Sequence, residues 1–322
     1  PFTVQGQKFN LDVSIGIAIC PDDGDTPQSL LENADTAMYH VKETGRNRHQ
    51  FYTHDLRRRQ EKRLTLDMQL RSALDRGEFE VRYHPVISLG KGKGTLVGVE
   101  SLLRWNHRIE GTVGPDYFLP AAEESGMIIP IGNWVLHQTC VQMREWLSQG
   151  LRIFSSINLS KRQLLQADLA EVLVRELAQN GIPAEALYVE IAEGFNTFNP
   201  EMMDQIINRL GATGIRIAID DFGVGYSNLS RVNLNYTRLL KIDRSIINGC
   251  PHDRQSSTVC IAAINLASSL GLLSLAEGVE NLNQVKFLTK YGCSLAQGYY
   301  FAEPLAPGEI TQFHRSKKVW KV

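Results

Sequence analysis

The strongest constraint on what this chain can fold into is a repeating grammar that begins after Glu78. Short apolar runs alternate with segments of helical period, the pattern of strands joined by crossover helices. Eight runs read as strands, at 79–88, 96–105, 152–159, 187–193, 215–221, 238–243, 272–277 and 295–301. Eight parallel βα units in this length fit an α/β fold of the TIM-type (β/α)8 barrel class, for which about 250 residues is typical. A doubly wound open sheet competes, but no Gly-x-Gly-x-x-Gly dinucleotide loop is present. Between Pro130 and Gly150, Ile131, Trp134, Val135, Val141, Met143 and Trp146 recur at helical spacing, which is core packing.

In such a barrel the chemistry sits at the C-terminal ends of the strands. Reading those ends with period two puts Glu100, Leu102 and Arg104 in one phase on the second strand, and Ser156 with Asn158 on the third. Glu190 shares a phase with Ala192 on the fourth, while Glu193 faces the other way. The fifth ends in Asp220 and Asp221, the sixth in Lys241 and Asp243, the seventh in Glu277, and the eighth in Gln297 and Tyr299. Neighbouring strand residues point to opposite faces, so both aspartates serve one site only if the strand stops between them, and Phe222-Gly223 supplies that stop. A lone Asp-Asp pair reads as a helix-capping turn, and a lone strand Glu as a salt-bridged residue. Seven such ends in succession argue for one site, because buried charges need a partner or a cation.

The donor set is all oxygen, without His or Cys, which selects Mg²⁺ or Mn²⁺ over zinc. His84, His107 and His137 read as core or surface histidines rather than ligands. Acids in this number, with one Lys and one Arg, are the inventory of phosphoryl chemistry on two clamping metals. Composition excludes several other classes. A formal net charge of −1 gives no support for nucleic-acid or anionic-membrane binding. Five scattered cysteines without a Cys-x-x-Cys fit a reducing, cytoplasmic compartment. No signal peptide or membrane-spanning run occurs. The chain opens at Pro1 rather than Met and reads as part of a longer protein, so upstream membrane anchors stay open.

Residues 1–54 form a small α/β unit. Leu11, Val13, Ile15, Ile17 and Ile19 alternate as a strand with one buried face. Thr26-Pro27 opens a helix with Leu30, Ala34, Ala37, Met38 and Val41 as its stripe, and Gly45 ends it. Residues 55–77 read as a linker helix with Leu56, Leu64, Met68 and Leu74 recurring. Its basic run, Arg57-Arg58-Arg59 with Lys62-Arg63, is either an anion patch or a solvated face, and interspersed acids favour the face. Val13-Ser-Ile-Gly-Ile-Ala-Ile, Ala34-Asp-Thr-Ala-Met-Tyr and Lys42-Glu-Thr-Gly-Arg-Asn-Arg48 resemble the C-terminal part of a GGDEF (diguanylate cyclase) domain. The turn that carries cyclase chemistry in that family is absent, so no synthesis is expected.

The remainder, 78–315 with a tail at 316–322, resembles an EAL-domain cyclic di-GMP phosphodiesterase. The motifs are Glu100-Ser-Leu-Leu-Arg-Trp105, Ile157-Asn-Leu-Ser160, Glu190-Ile-Ala-Glu193, Asp220-Asp-Phe-Gly-Val-Gly-Tyr-Ser227, Leu240-Lys-Ile-Asp243, Ala276-Glu-Gly-Val-Glu280 and Gln297-Gly-Tyr-Tyr-Phe301, in the family's order. The resemblance implies metal-dependent hydrolysis of cyclic di-GMP to linear pGpG, with Ca²⁺ inhibitory. It also implies a homodimer through the barrel, governed by upstream sensory and GGDEF regions. Glu100, Asn158, Glu190 and Asp220 would hold one metal, and Asp220 with Asp221 would reach a second. Glu277 would ligate that second metal or take the water proton. Lys241 would hold the water or the phosphate, and Gln297 would orient the water network. Arg104, Leu102, His84, Asp243, Glu280 and Tyr299 would line the substrate, and Glu193 would steady the loop Phe222–Leu229. Departures from the family are Ser101 for its Ala, His84 for its Gln, Ala192 and Val224 for threonines, and Asn228 for Ser. The alternative function is a receptor that captures cyclic di-GMP without turnover.

Overall fold

Parallel strands need a crossover of a dozen or more residues, and the first two barrel strands have only residues 89–92 between them. Strand β1 (Phe79–Ser88) therefore runs antiparallel to β2 (Lys93–His107). It is antiparallel to β8 on its other side as well. This corrects the expectation of parallel strands throughout. The computed structural model describes residues 2–4, 7–9, 12–43, 47–90, 93–192, 200–223, 236–316 and 320–321. Contacts divide the chain into two units, Pro1–Ser72 and Ala73–Val322.

The larger unit is the barrel. After β1 and β2 come β3 (Phe154–Asn158), β4 (Leu187–Ala192), β5 (Arg216–Phe222), β6 (Thr237–Ile242), β7 (Leu273–Ala276) and β8 (Leu295–Ala296). They pair in the order β1, β8, β7, β6, β5, β4, β3, β2, and β2 returns to β1, so the sheet is closed. Helices such as Ile128–Ser148 and Arg254–Ser269 cover the outside. The eighth strand is shorter than expected. At Gly298 φ reaches +152°, and a Cβ there would lie 2.2 Å from the backbone nitrogen of Val279. Only glycine allows that crossing, which ends the ladder and lays the chain against Val279, just beyond β7.

Inside the barrel a floor of Val86, Tyr188, Ala218, Leu239, Leu275 and Leu295 packs with Phe154. Gly98 makes room for the Phe154 ring, since a Cβ there would fall 2.3 Å from it. Lumen-facing residues above this floor are polar. The fold thus closes the bottom of the barrel and leaves its other end to chemistry.

In the smaller unit, Ile15–Ile17 pairs in parallel with His49–Phe51, and the helix Pro27–Glu43 lies across them. Thr26 Oγ1 accepts the Ser29 N–H at 3.2 Å, the expected cap. The expected buried face is reversed, because Val13, Ile15 and Ile19 are each about half exposed. Gly16 faces the helix instead, and a Cβ there would lie 1.9 Å from the Ala34 carbonyl oxygen. The helix comes too close for isoleucine on that side. The linker helix runs His54–Asp75, and its buried residues include Leu66, Leu70 and Ala73, whereas Met68 is exposed. Gly77, at φ +65°, ends it, and the Glu78 N–H bonds back to the Ala73 carbonyl.

Candidate active site

Lys241 is the centre of the site. It points inward from β6, fully buried, and a buried ammonium must be paired. Its Nζ lies 2.6 Å from Glu190 Oε2, 2.7 Å from Glu277 Oε1, 3.0 Å from Asp220 Oδ1 and 3.6 Å from Glu100 Oε1. Strand register explains the convergence. Ser156 on β3 stands opposite Glu100, Asn158 opposite Glu190, and Ala218 opposite Glu190 from the other side. Successive strands therefore deliver one lumen-facing polar group each at a similar height.

Glu100 is held from two directions. Asn158 Nδ2 donates to its Oε1 at 2.9 Å, and Gln297 Nε2 donates to its Oε2 at 2.6 Å. The Asn158 amide oxygen is left uncommitted by that bond. Ser101, next to Glu100, points behind the sheet and shares a hydrogen bond with Ser155 Oγ at 2.9 Å.

The two aspartates reach one site by a different device from the expected strand stop. Strand β5 continues to Phe222, but its register to β6 slips by one residue between Ile219 and Phe222. Asp221 sits in this bulge with φ +57°. A non-glycine residue there is uncommon, and Asp tolerates it better than most. The turn brings Asp221 round to the side of Asp220, whose Oδ1 accepts the Asp221 N–H at 3.0 Å. Oxygens of Asp220, Asp221 and Glu277 lie within 4.8 Å of one another.

Burial and mutual repulsion set the charges. Burial pushes the Glu190 carboxyl well up, against the pull of Lys241, and Glu100, Asp220 and Glu277 push it further. Glu277 is raised to about 8, by burial first, with Lys241 opposing and Asp220 and Glu100 adding. Burial and the Asp220 and Asp243 charges raise Asp221. Burial also pushes Glu100 up, but Lys241, Gln297 and Asn158 outweigh it and hold this carboxyl low. Lys241 is raised far above its usual value, because its carboxylate neighbours overcome the penalty of burial.

Five carboxylates thus face one ammonium, a formal excess of negative charge that divalent cations would relieve. Two buried acceptors, Glu190 Oε1 and Gln297 Oε1, have no hydrogen-bond partner among the described residues. Such orphans are rare in folded proteins, and hard oxygen donors of this kind suit Mg²⁺ or Mn²⁺. The residues fit a metal site.

At the rim, His84 stands opposite Glu100 in register, and its Nε2 lies 3.1 Å from the Ala302 carbonyl. Burial lowers its pKa, partly countered by Glu100. Its ring centroid is 6.2 Å from that of Tyr299, which is 66% exposed. Arg104 is half-buried and donates to the Leu103 carbonyl at 2.8 Å; Leu102 is half-buried beside it. Asp243 caps the helix Arg244–Gly249 by accepting the Ser245 N–H at 2.9 Å. Glu280 is exposed, with its backbone N–H on Gln284. Glu193 and residues 224–229 of the loop after β5 lie outside the described residues. His107 is a core residue against Trp105, and His137 pairs with Glu176 at 3.0 Å.

Among lumen-facing residues, sequence reasoning missed Arg82. It lies in the phase of His84, but a parallel first strand would have carried it down toward the floor. The antiparallel strand carries it up toward the mouth.

Known proteins agree with this architecture. The EAL domain family matches residues 67–304, and the family described as diguanylate cyclase, GGDEF domain, matches residues 1–48. The bifunctional diguanylate cyclase/cyclic di-GMP phosphodiesterase MucR of Pseudomonas aeruginosa is 37% identical over 311 residues, 96% of this chain and 45% of its own length. The cyclic di-GMP phosphodiesterase PdeR of Escherichia coli is 32% identical over 305 residues, 95% of this chain and 46% of its own. The chain therefore spans less than half the length of these curated relatives. A solved PaMucR phosphodiesterase in complex with c-di-GMP superposes with a TM-score of 0.72 at 36% identity, covering 76% of this chain and 99% of that one. The EAL enzyme Bd1971, bound to cAMP and cyclic-di-GMP, gives 0.75 at 26% identity, covering 91% and 77%. The chain belongs to the EAL domain family and carries ahead of that domain a short piece of a GGDEF domain.

Proposed function

We propose that this chain hydrolyses cyclic di-GMP to linear pGpG at the acid-lined mouth of the barrel, using two Mg²⁺ or Mn²⁺ ions. The observation that carries the reading is the convergence of Glu100, Glu190, Asp220 and Glu277 on the buried Lys241 ammonium, with Asp221 beside them and acceptors at Glu190 and Gln297 left without donors among the described residues. Relatives named as cyclic di-GMP phosphodiesterases, and a solved relative in complex with that nucleotide, support the substrate.

Glu100, Asn158, Glu190 and Asp220 would hold one ion, and Asp220, Asp221 and Glu277 the other. Ions held there would supply an activated water and electrostatic stabilisation of the reacting phosphate. Glu277 would ligate that second ion or take the proton of the attacking water. Lys241 keeps the carboxylates from repelling one another and offers an ammonium N–H to the water or the phosphate. Gln297 and Asn158 fix the orientation of Glu100, and Arg104 meets a phosphate oxygen by a charge-assisted hydrogen bond. As water bonds to phosphorus, the P–O3′ bond breaks, the released O3′ takes up a proton from solvent, and the ring opens.

On this reading the chain is a cytoplasmic module that dimerises through its barrel and answers to upstream sensory and GGDEF regions. Among the described residues no helix is long and apolar enough to cross a membrane. The test is incubation of purified protein with cyclic di-GMP and Mg²⁺ or Mn²⁺, with separation of products. Appearance of pGpG, blocked by chelator, is expected. Tight binding without product would favour the receptor reading.

A further inference from the structure

We infer that Arg82 reads the guanine edge of the bound cyclic dinucleotide, an inference that rests on the function proposed above. Arg82 shares the lumen-facing phase of β1 with Val86, which lies in the barrel floor, and His84, which stands opposite Glu100. The other phase, Val81 and Tyr83, is buried in the outer core against Trp146. Because β1 is antiparallel, stepping back along it climbs toward the mouth. Arg82 pairs with Leu102 and Glu80 with Arg104, each one step further out than the last. Arg82 thus stands at the mouth, one step above the acids and level with Leu102.

Its chemistry suits that place. Arg82 Nε donates to Glu80 Oε1 at 2.8 Å, and the two side chains are 36% and 30% exposed. An ion pair this exposed adds little stability, but it fixes the plane of the guanidinium. Only Nε is spent, and among the described residues the terminal nitrogens make no hydrogen bond. A guanidinium edge matches the O6 and N7 acceptors of guanine, whereas adenine places an N6 donor where O6 would be. The exposed ring of Tyr299 beside His84 offers such a base a stacking surface. Remote from the reacting phosphorus, the contact is the same in ground and transition states, so it acts on KM and not on kcat.

The test compares wild type, Arg82→Ala, Arg82→Lys and Glu80→Gln for binding of cyclic di-GMP and cyclic di-AMP in Ca²⁺, and for kcat and KM in Mg²⁺. Unfolding temperatures are recorded for each. Arg82→Ala should weaken cyclic di-GMP binding by about tenfold to a hundredfold, change cyclic di-AMP little, and leave kcat unchanged. Arg82→Lys keeps the charge without the fork and should lose most of the discrimination. Glu80→Gln should give a smaller loss in the same direction. An equal loss for both nucleotides would assign Arg82 to the sugar-phosphate backbone, and no loss would leave it a plain ion pair at the mouth; either overturns the inference. Wild type that binds but does not turn over would defeat the hydrolase reading and leave Arg82 testable by binding alone. Wild type that binds neither nucleotide would overturn both.

Discussion

The Lys241 ammonium lies 2.7 Å from Glu277 Oε1, and this contact joins a cation buried inside the barrel to the acid that follows β7. On the proposed reading Glu277 acts on the attacking water and does not anchor the substrate. Glu277→Gln should therefore lower hydrolysis by about a hundredfold to ten-thousandfold while cyclic di-GMP still binds. Arg104→Ala should do the reverse, weakening binding more than turnover. Calorimetric binding measured beside initial rates separates the two. Normal turnover by Glu277→Gln would remove it from the chemistry.

The raised Glu277 carboxyl has a pH consequence. With its pKa near 8 in the cation-free protein, it is mostly protonated at neutral pH. A ligand must shed its proton before it binds a metal, so protons compete with the ion. The Mg²⁺ concentration for half activity should fall as pH rises toward about 8, by at most about tenfold per unit for one displaced proton. Metal titrations of activity at several pH values check this, and a midpoint independent of pH would contradict it.

Ion size gives a third expectation. Mg²⁺ holds a tight octahedron at about 2.0–2.1 Å, whereas Ca²⁺ takes more oxygens at about 2.3–2.6 Å. Ca²⁺ should support cyclic di-GMP binding and inhibit hydrolysis, with excess Mg²⁺ restoring the rate. Full turnover in Ca²⁺ alone would exclude the paired-metal geometry.

Much of the site was legible in the strand ends, because the side-chain period of two is set by backbone geometry alone. Glu100, Glu190, Lys241 and Gln297 all face the lumen as that period requires. Direction was harder to read. Only the four residues between Ser88 and Lys93 reveal that β1 is antiparallel, and with it the climb of Arg82 and Glu80 to the mouth. The bulge at Asp221 was hidden because its φ depends on pairing to β6, not on local composition. In the small unit the larger residues were expected inside, yet Gly16 faces the helix because helix and strand approach within the reach of one Cβ.

The floor of the barrel gives a prediction about stability. Gly98→Ala would set a methyl group against the Phe154 ring. Overpacking of this kind costs about 1–3 kcal/mol, which should appear as a lower unfolding midpoint in urea. Phe154→Leu in the same chain should recover part of the loss. A midpoint unchanged by Gly98→Ala would mean the floor is looser than it looks.

The most direct measurement of the central claim is hydrolysis in water enriched in oxygen-18, with products resolved by mass spectrometry. If the acid cluster around Lys241 delivers water to phosphorus, one labelled oxygen should enter the terminal phosphate of pGpG, only in the presence of Mg²⁺ or Mn²⁺. Cyclic di-GMP recovered intact under saturating metal, or pGpG formed without label, would contradict the account.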